Sequence, residues 1–561
     1  MPYHRTRKLF NLEAVLDEID NDVIDINNVV IVPPNNLGNL SDEDEDENAD
    51  VMPADVPGEL EVEYNDSASE SSSGSNNSDD ETEVTPPVTK RAKKSKSAPV
   101  RWNNSEDILA DTRDSIDPLE ETHAELCDKT PYELFLLFLN DGVVNLIVDE
   151  TNRFAKQKNN HLFELKSVEF LRFIGILLLS GYHSLPQQHL YWETADDTRI
   201  PIVANAMSRN RFCEIKKYIH LANNEGINVN DKAAKVRPSI DSINQGLVQF
   251  GVFSKDLSGD EQIVPYFGKH SAKMFMCNKP VKFGYKFWVL ASAQGFPYKI
   301  DLYCGKETNK TKTGTVGASV IFNLLTVVEN PKAHTITFDN FFTDYDLLKS
   351  LADKGFAATG TVRENRMKGA ILPKSRSMKK KIVARGTTEF CSTGSIVACC
   401  WKDNKPVYCM SNYLGVTPTE KKRRYSQQEK KHIHIECPQM IASYNKTMGG
   451  VDLCDRFLSS YRPTIRGKKW YFPIFTHGIN ICVVAAWRLS CAIGQKYSQL
   501  EFLRLIVRCL LKIEKAEMKA REYGPATQLD EIRFDKTGHE CIESKGRSVS
   551  IVPQKYVLPM W

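Results

Sequence analysis

The sequence lacks three features, and each absence argues against a class of protein. No stretch reaches the roughly 18 to 20 uninterrupted apolar residues of a membrane span, and the best candidate, Phe173 to Leu179, directly follows Arg172. The first twenty residues turn acidic where a signal peptide needs an apolar segment. The 14 cysteines are scattered and do not resemble a disulfide framework. We therefore expect a protein of the cytosol or nucleus with no membrane partner.

Basic residues are absent from a long stretch near the start of the chain. Residues 9–89 contain no Lys or Arg but 23 Asp or Glu, whereas residues 1–8 hold three basic residues. Of 73 basic and 72 acidic residues in all, the rest of the chain keeps 70 and 49, a surplus of 21 positive charges. Such a surplus attracts polyanions and favours nucleic acid as the partner, although a solvated basic surface is the alternative.

The acidic stretch has few residues that could build a core. Residues 41–83 are rich in serine and acid and poor in aromatics, so the pattern predicts disorder. A basic cluster at 90–96 follows. It is typical of a nuclear localisation signal or a phosphate-binding arm, with an unread linker as the alternative, and it leads us to expect the nucleus as the location.

The apolar pattern changes its period along the chain. From about residue 117 to residue 252 it is helical. Tyr285 to Ala293 and Tyr298 to Tyr303 then read as two strands around a turn, and helices alternate with short strands up to Val362. This order is compatible with an α/β fold that has a ribonuclease-H-like core, although other α/β sheets also fit. Residues 374–436 are basic and strand-like, which predicts an inserted β unit.

Aspartates stand at three separate places that a metal site could use. Asp260 lies in the run 259–263, Asp339 ends a short apolar strand, and Asp452 and Asp455 share one helix face at a spacing of three. Carboxylates from separate segments suit a pair of Mg²⁺ ions about 3.5 to 4 Å apart, which activate the attacking oxygen and stabilise the leaving one in phosphoryl transfer. Spacing alone does not single these aspartates out among 72 acidic residues.

Several short motifs, in one order, resemble the piggyBac transposases and the piggyBac transposable element-derived proteins. The matching runs are Asp260-Glu261-Gln262, Asn278-Lys279-Pro280, residues 282–286, residues 338–343, residues 359–363, Tyr444-Asn445 and residues 448–452. The resemblance implies that Asp260, Asp339 and Asp452 are the catalytic triad and that Asp455 is an additional metal-binding carboxylate. It also implies a dimer that nicks transposon ends on double-stranded DNA, forms a hairpin with the freed 3′-hydroxyl and joins a TTAA target.

The pattern and the resemblance together divide the chain. We expect a disordered acidic region with a basic cluster at 1–116 and a β-rich insertion at 367–436. The ribonuclease-H-like catalytic core comprises 256–366 and 437–456. A mainly helical dimerisation and DNA-binding domain comprises 117–255 and 457–530, and a tail at 531–561 follows.

Two basic segments are candidates for DNA contact. One follows Asp455, where cations can neutralise phosphates while an aromatic stacks on a base; its residues are Arg462, Arg466, Lys468, Lys469 and Trp470. A solvated turn with Trp470 packed in the core is the alternative. The other segment lies in the predicted insertion, with Lys379, Lys380, Lys381 and Arg385.

The sequence departs from the family in its cysteines. Many relatives end in a cysteine-rich zinc-binding domain, whereas after Arg521 this sequence has only Cys541. This departure favours a second hypothesis, a domesticated DNA-binding or chromatin protein without transposition activity. An unrelated metal-dependent nuclease is a third hypothesis, but it does not explain the ordered motifs. The four cysteines between 391 and 409 lack CxxC spacing, so we expect buried strand cysteines and no zinc site.

Overall fold

The structure is a computed structural model of the 561-residue chain. It describes residues 26–32, 59–64, 100–104, 113–228, 230–276, 279, 281–305, 315–380, 382–427, 429–513, 539–543 and 549–553. For 26–32, 59–64, 539–543 and 549–553 it describes the backbone alone. The predicted basic cluster at 90–96 lies outside these ranges.

Two strands pair in the acidic N-terminal region. β1, Ile26–Val32, and β2, Glu59–Tyr64, run antiparallel. β2 falls within residues 41–83, for which the sequence predicts disorder. It alternates acidic with apolar residues at a period of two and faces a strand rich in β-branched residues, so it has a strand pattern that the overall composition conceals. The rest of 41–83 is outside the described residues.

Helices dominate the described chain between residues 113 and 255, as the periodicity predicts. The helices are α1 Leu119–Thr122, α2 Pro131–Phe138, α3 Asp141–Gln157, α4 Ser167–Ser180, α5 Pro201–Ala206, α6 Arg209–Tyr218 and α7 Arg237–Leu247. α2 begins with a capping box, in which Thr130 and Glu133 each satisfy the other's backbone N–H. Asn140 and Ser208 cap α3 and α6 by accepting a backbone N–H.

A mixed sheet of nine strands follows in the described chain. The strands are β3 Asp256–Pro265, β4 Met274–Phe275, β5 Phe283–Ser292, β6 Pro297–Leu302, β7 Thr335–Phe338, β8 Ala357–Thr361, β9 Thr388–Ser392, β10 Val397–Lys402 and β11 Pro406–Ser411. Their order is β4-β5-β3-β7-β8-β11-β10-β9, and β6 also pairs with β5, on the edge away from β3. The pairs β3–β7 and β7–β8 are parallel and the others are antiparallel.

The predicted hairpin and the alternation of helices with strands are both confirmed. β5 and β6 form the hairpin, with a turn at Gly295 whose φ is +85°. α8, Val316–Leu324, precedes β7, and α9, Tyr345–Asp353, connects β7 to β8. Parallel neighbours need such crossover helices. The result is a mixed α/β fold.

The predicted inserted β unit is continuous with this sheet. β11 pairs with β8 through Cys409 and Thr361, so β9, β10 and β11 extend the central sheet instead of standing beside it. The pairing joins segments about fifty residues apart, which local periodicity does not reveal. A short helix, α10 Ser375–Met378, precedes β9, and the strands β12 Glu420–Ser426 and β13 Lys431–Cys437 form a separate antiparallel hairpin.

The helices after residue 437 pack against the earlier helical segment. The Arg172 guanidinium of α4 donates to the Ile513 carbonyl at 2.6 Å. Gly175 lies so close to the helix Gln499–Lys512 that an added Cβ would be 2.9 Å from Leu510 Cβ. Both segments contribute to one hydrophobic core. These helices are α11 Gln439–Thr447, α12 Gly450–Ser460, α13 Phe472–Ala492 and α14 Gln499–Lys512. β14, His539–Glu543, and β15, Val549–Pro553, form an antiparallel pair in a separate unit.

Helix α13 is apolar over its whole length, although polar residues interrupt its apolar runs. Its 21 residues are long and apolar enough to cross a membrane, by length and composition alone. Polar residues such as Asn480 interrupt the run, and the protein itself buries 83% of the most apolar window. Asn480 donates its amide to the Leu458 carbonyl at 2.7 Å. These contacts make α13 a core helix of the fold.

Candidate active site

Asp260 lies on β3, and Asp339 directly follows the adjacent parallel strand β7. The register pairs Gly259 of β3 with Phe338 of β7, so each aspartate is the next residue along its strand direction. Two residues before the aspartates, Ser258 and Thr337 are also register partners. Because side chains alternate along a strand, both aspartates point to the same face of the sheet as those two residues.

That face is covered by the segment that joins α11 to α12. The Ser258 hydroxyl donates to the Met448 carbonyl at 2.7 Å, and the Thr337 and Thr447 hydroxyls are 2.6 Å apart. Gly450 allows the close approach, since an added Cβ would lie 2.4 Å from the Ser292 carbonyl oxygen. The strands and the helix are therefore held in contact on the side where the aspartates project.

The same contact brings the aspartates of α12 towards β3. Gln262, two residues beyond Asp260, donates its amide to the Asp455 carboxylate at 3.2 Å. Since the strand touches the start of α12 at Ser258 and its second turn at Gln262, Asp260 faces the part of the helix that carries Asp452. Asp452 is exposed, whereas Asp455 is half-buried. The structure thus places all four predicted carboxylates on one side of the sheet, near the middle of β3 and the carboxyl end of β7.

Burial makes negative charge costly here. Asp260 is only 8% exposed, and burial, followed by the nearby Glu261 and Asp339 carboxylates, raises its pKa to about 8. Burial also raises the pKa of Asp339 and of Asp455. The cause is that the charged form loses water and gains like charges. The site therefore holds more carboxylate than its own residues neutralise.

Two lysines and a glutamate, to which sequence analysis assigns no role, adjoin this site. The Glu261 carboxylate lies 3.0 Å from the Lys279 ammonium and 3.6 Å from that of Lys286. Burial alone would raise the pKa of Glu261, but the two lysines outweigh it and hold that pKa below its ordinary value. The Lys286 ammonium also lies 4.0 Å from the centre of the Trp288 ring. These residues fall inside the motifs that carry the family resemblance, which is the signal that marks them.

The donor chemistry suits a hard divalent cation. Mg²⁺ prefers carboxylate oxygens, and a bound cation would offset the burial and the like charges that raise the pKa of Asp260. Among the described residues, however, no group of three or more His, Cys, Asp or Glu side chains stands close enough together to hold a metal ion. The residues fit Mg²⁺ by type and by charge, and their carboxylates would have to draw together around it.

The basic segment after α12 has cations of two kinds. Arg466 and Lys468 are exposed, and Arg462 lies 4.0 Å from the Asp455 carboxylate. The Lys469 ammonium instead donates to the Ile219 carbonyl at 2.8 Å and lies 4.4 Å from the centre of the Phe154 ring. Lys469 therefore ties the segment to the helical core, while Arg466 and Lys468 are exposed to solvent.

Trp470 is already stacked within the protein. Its ring lies 3.7 Å from that of His270 at an interplanar angle of 12°, and it meets Tyr471 edge-on. Burial lowers the pKa of His270 to about 3, so the ring that stacks on Trp470 is neutral. Trp470 is half-buried and Tyr471 is buried. This geometry matches the alternative in which Trp470 packs in the core more closely than it matches stacking of Trp470 on a DNA base.

The other predicted DNA contacts lie far along the chain from the aspartates. Lys379 and Lys380 are exposed, Lys381 is outside the described residues, and Arg385 is held by the Asp403 carboxylate. The cysteines of this region are buried in strands, as predicted; they are Cys391, Cys399, Cys400 and Cys409. Burial raises the pKa of all four thiols.

Comparisons with known proteins show the family to which the chain belongs. The family described as Transposase IS4 matches residues 130–487. The human protein PiggyBac transposable element-derived protein 3 is 33% identical over 96% of this chain and 94% of its own length. The human PiggyBac transposable element-derived protein 2 is 31% identical over 93% of this chain and 88% of its own length.

A solved structure has the same fold. It is the piggyBac transposase in a synaptic complex with hairpin DNA, with a TM-score of 0.58 and 23% identity, covering 70% of this chain and 84% of that chain. The family match over most of the folded chain and the two human relatives agree with the motifs around the aspartates. The chain therefore belongs to the piggyBac-type transposase family.

Proposed function

We propose that this protein is a DNA transposase that nicks and joins strands at TTAA targets through Asp260, Asp339 and Asp452. The observation that carries the proposal is the buried Asp260 carboxylate, which stands beside Asp339 and faces α12 with a pKa raised to about 8. Such a carboxylate stabilises the fold poorly, so its presence points to a functional use. The solved relative's complex with hairpin DNA supports DNA as the substrate.

The strand order supports a ribonuclease-H-like core. β6, β5 and β3 are antiparallel neighbours, and β7 and β8 then run parallel to β3. In this core Asp260 is on the first strand, Asp339 follows the next parallel strand, and Asp452 comes from a helix packed on the same face. The protein works in the nucleus, as a homodimer on double-stranded DNA.

Each carboxylate has a distinct part in this proposal. Asp260 and Asp339 are fixed by the sheet, and backbone N–H groups of Glu261 and Phe341 donate to them at 2.8 Å. Gln262 orients Asp455. Mg²⁺, when bound, would activate the attacking oxygen and stabilise the leaving one. Lys279 and Lys286 keep Glu261 ionised and offset its charge beside the reacting phosphate.

The test is strand cleavage by the full chain on a plasmid that carries the DNA ends flanking its own genomic copy, each next to a TTAA site. We expect nicked DNA with Mg²⁺ present and none after EDTA is added, because carboxylates alone repel the phosphate. Gel electrophoresis measures the products, and renewed Mg²⁺ after EDTA should restore them. Cleavage that persists in EDTA would contradict the proposal.

A second function is favoured by one observation. The described carboxylates are not drawn together into a metal-binding group, and both human relatives are named as derived from transposable elements. A domesticated DNA-binding protein would bind the same plasmid without nicking it at any Mg²⁺ concentration. The cleavage assay therefore separates the two functions.

The exposed cations after α12 give a further prediction. Replacing Arg466 and Lys468 by Gln should lower the slope of log affinity against log salt by about 1.8, at about 0.9 for each phosphate that is no longer neutralised. Lys469→Gln is the matched control, because its ammonium is bound to Ile219 and not directed outwards. It should keep the slope and lose about 1 kcal/mol of stability. An unchanged slope in the double variant would show that these two cations do not bind phosphates.

A further inference from the structure

The β12–β13 hairpin, residues 420–437, is a basic ribbon with six Lys or Arg in its two strands and loop edges against three Glu. Its inner face is tied to the rest of the protein. The Arg424 guanidinium lies 2.9 Å from the Asp403 carboxylate. The Lys422 ammonium lies 2.6 Å from the carboxylate of Glu420 on the same strand, which Lys446 of α11 also contacts at 2.8 Å. Ile435 is buried in a small core with strands β10 and β11. The cations on this face therefore have structural partners.

Two hydrogen bonds to backbone carbonyls of β12 and β13 also hold the ribbon. The Trp401 indole donates to the Glu436 carbonyl at 2.8 Å, and Arg385 donates to the Tyr425 carbonyl at 3.2 Å. Arg385 and Arg424 share the Asp403 carboxylate. The ribbon is thus fixed to the sheet from one side, and its position does not depend on the outer residues.

The outer face of the ribbon is exposed, unlike the inner face. Lys421, Arg423 and Tyr425 alternate along β12 and are exposed, Tyr425 to 53%. The register places Glu436 opposite Lys421, His434 opposite Arg423 and His432 opposite Tyr425, and all three partners are exposed. Within the described part of the chain, neither Lys421 nor Arg423 forms an ion pair. Two cations and one aromatic side chain therefore lie on the exposed face of a strand that other residues hold in place.

We propose that the outer face of the basic ribbon lies in the major groove of duplex DNA, with Lys421 and Arg423 on phosphates and Tyr425 against the groove wall. This inference rests on the proposed function, because it takes DNA as the substrate. It adds a DNA-contact surface separate from the segment that follows α12.

The dimensions suit this partner. The major groove is about 12 Å wide and admits a two-stranded β-ribbon, whose strands lie about 4.8 Å apart. Alternate residues on one strand are about 6.7 Å apart, so Lys421 and Arg423 can reach successive phosphates. The ribbon is short, with seven paired positions, and its width leaves room for side chains on both edges.

The test compares the full chain with the double variant Lys421→Gln, Arg423→Gln. Binding to a duplex of about 30 base pairs, roughly three turns of major groove, is measured by fluorescence anisotropy over a salt series and should show a slope smaller by about 1.8 in the variant. The matched control replaces Lys349 and Lys354, two exposed lysines at α9, by Gln and removes the same charge. It should keep the wild-type slope. Thermal melting should be unchanged in the outer-face variant, because neither outer cation forms an ion pair with another described residue.

A direct contact measurement separates docking from long-range attraction. A photocrosslinking amino acid in place of Tyr425 should attach to the duplex, whereas the same amino acid in place of Tyr497, which is also exposed, should not. A wild-type slope in the outer variant, or no crosslink at Tyr425, would overturn the inference and leave the proposed function standing. A crosslink to the acidic residues 41–83 instead of DNA would also overturn it. Failure of the wild-type chain to bind any duplex would refute both.

Discussion

Asp260→Asn should abolish Mg²⁺-dependent cleavage while DNA binding stays close to wild type. The substitution keeps the shape of the side chain and removes the negative charge that a metal ion needs. We expect the cleavage rate to fall by about two to three orders of magnitude or more, the scale on which losing one preorganised electrostatic group lowers kcat. Single-turnover cleavage measures the rate, and filter binding measures the affinity.

The same variant should make the metal-free protein more stable at neutral pH. The Asp260 pKa is about 8 in the folded protein, above its unfolded value near 4. Between these values the unfolded chain has lost the proton that the folded protein still holds, so stability falls as the pH rises through this window. Asparagine removes that penalty. The gain in Tm should therefore be absent at about pH 4 and grow up to about pH 8.

Asp256→Asn is the matched control for this variant. Asp256 is on the same strand and face, four residues earlier, and its carboxylate accepts from the Thr335 hydroxyl at 2.7 Å. Asparagine can still accept that bond, so cleavage should remain within a few-fold of wild type. If Asp260→Asn cleaves DNA at the wild-type rate, or if Asp256→Asn loses cleavage equally, Asp260 is not a metal-binding residue.

The sequence predicts the aspartates better than it predicts their surroundings. Asp339 ends a short apolar strand, and the spacing of Asp452 and Asp455 is that of one helix face, so local pattern and motif order suffice for these positions. The ion pairs of Glu261 with Lys279 and Lys286 depend on the registers of β3, β4 and β5. Register is a long-range property that composition does not encode.

The basic segments show the same limit. Arg466, Lys468 and Lys469 cannot be told apart by residue type, since all three are basic. The packing of this segment on α3 and α6 is what turns Lys469 inwards. Trp470 finds a stacking partner in His270, two hundred residues earlier. The extension of the central sheet by β9, β10 and β11 likewise depends on one pairing, between β11 and β8. Sequence patterns give the elements, and tertiary contacts decide which side chains remain available.

Gly450→Val should have the second-largest effect on cleavage, although Gly450 has no functional group. An added Cβ at this position would lie 2.4 Å from the Ser292 carbonyl and 3.0 Å from Ser258 Cβ, so α12 must move away from β3 and β5. Because Asp452 and Asp455 are on α12, this movement withdraws two of the four carboxylates from Asp260 and Asp339. Overpacking of this kind costs about 1 to 3 kcal/mol.

The neighbouring glycine provides the control. No atom of the other described residues would lie within 4 Å of a Cβ added at Gly449. The Gly449 φ of −71° suits any residue. Gly449→Ala should therefore keep both Tm and cleavage. We expect Gly450→Val to lower the Tm and to reduce single-turnover cleavage far more than DNA binding, since the cations after α12 remain on the surface. If the Gly450 variant melts lower but cleaves at the wild-type rate, the position of α12 does not set the active site, and Asp452 would lose its assigned role.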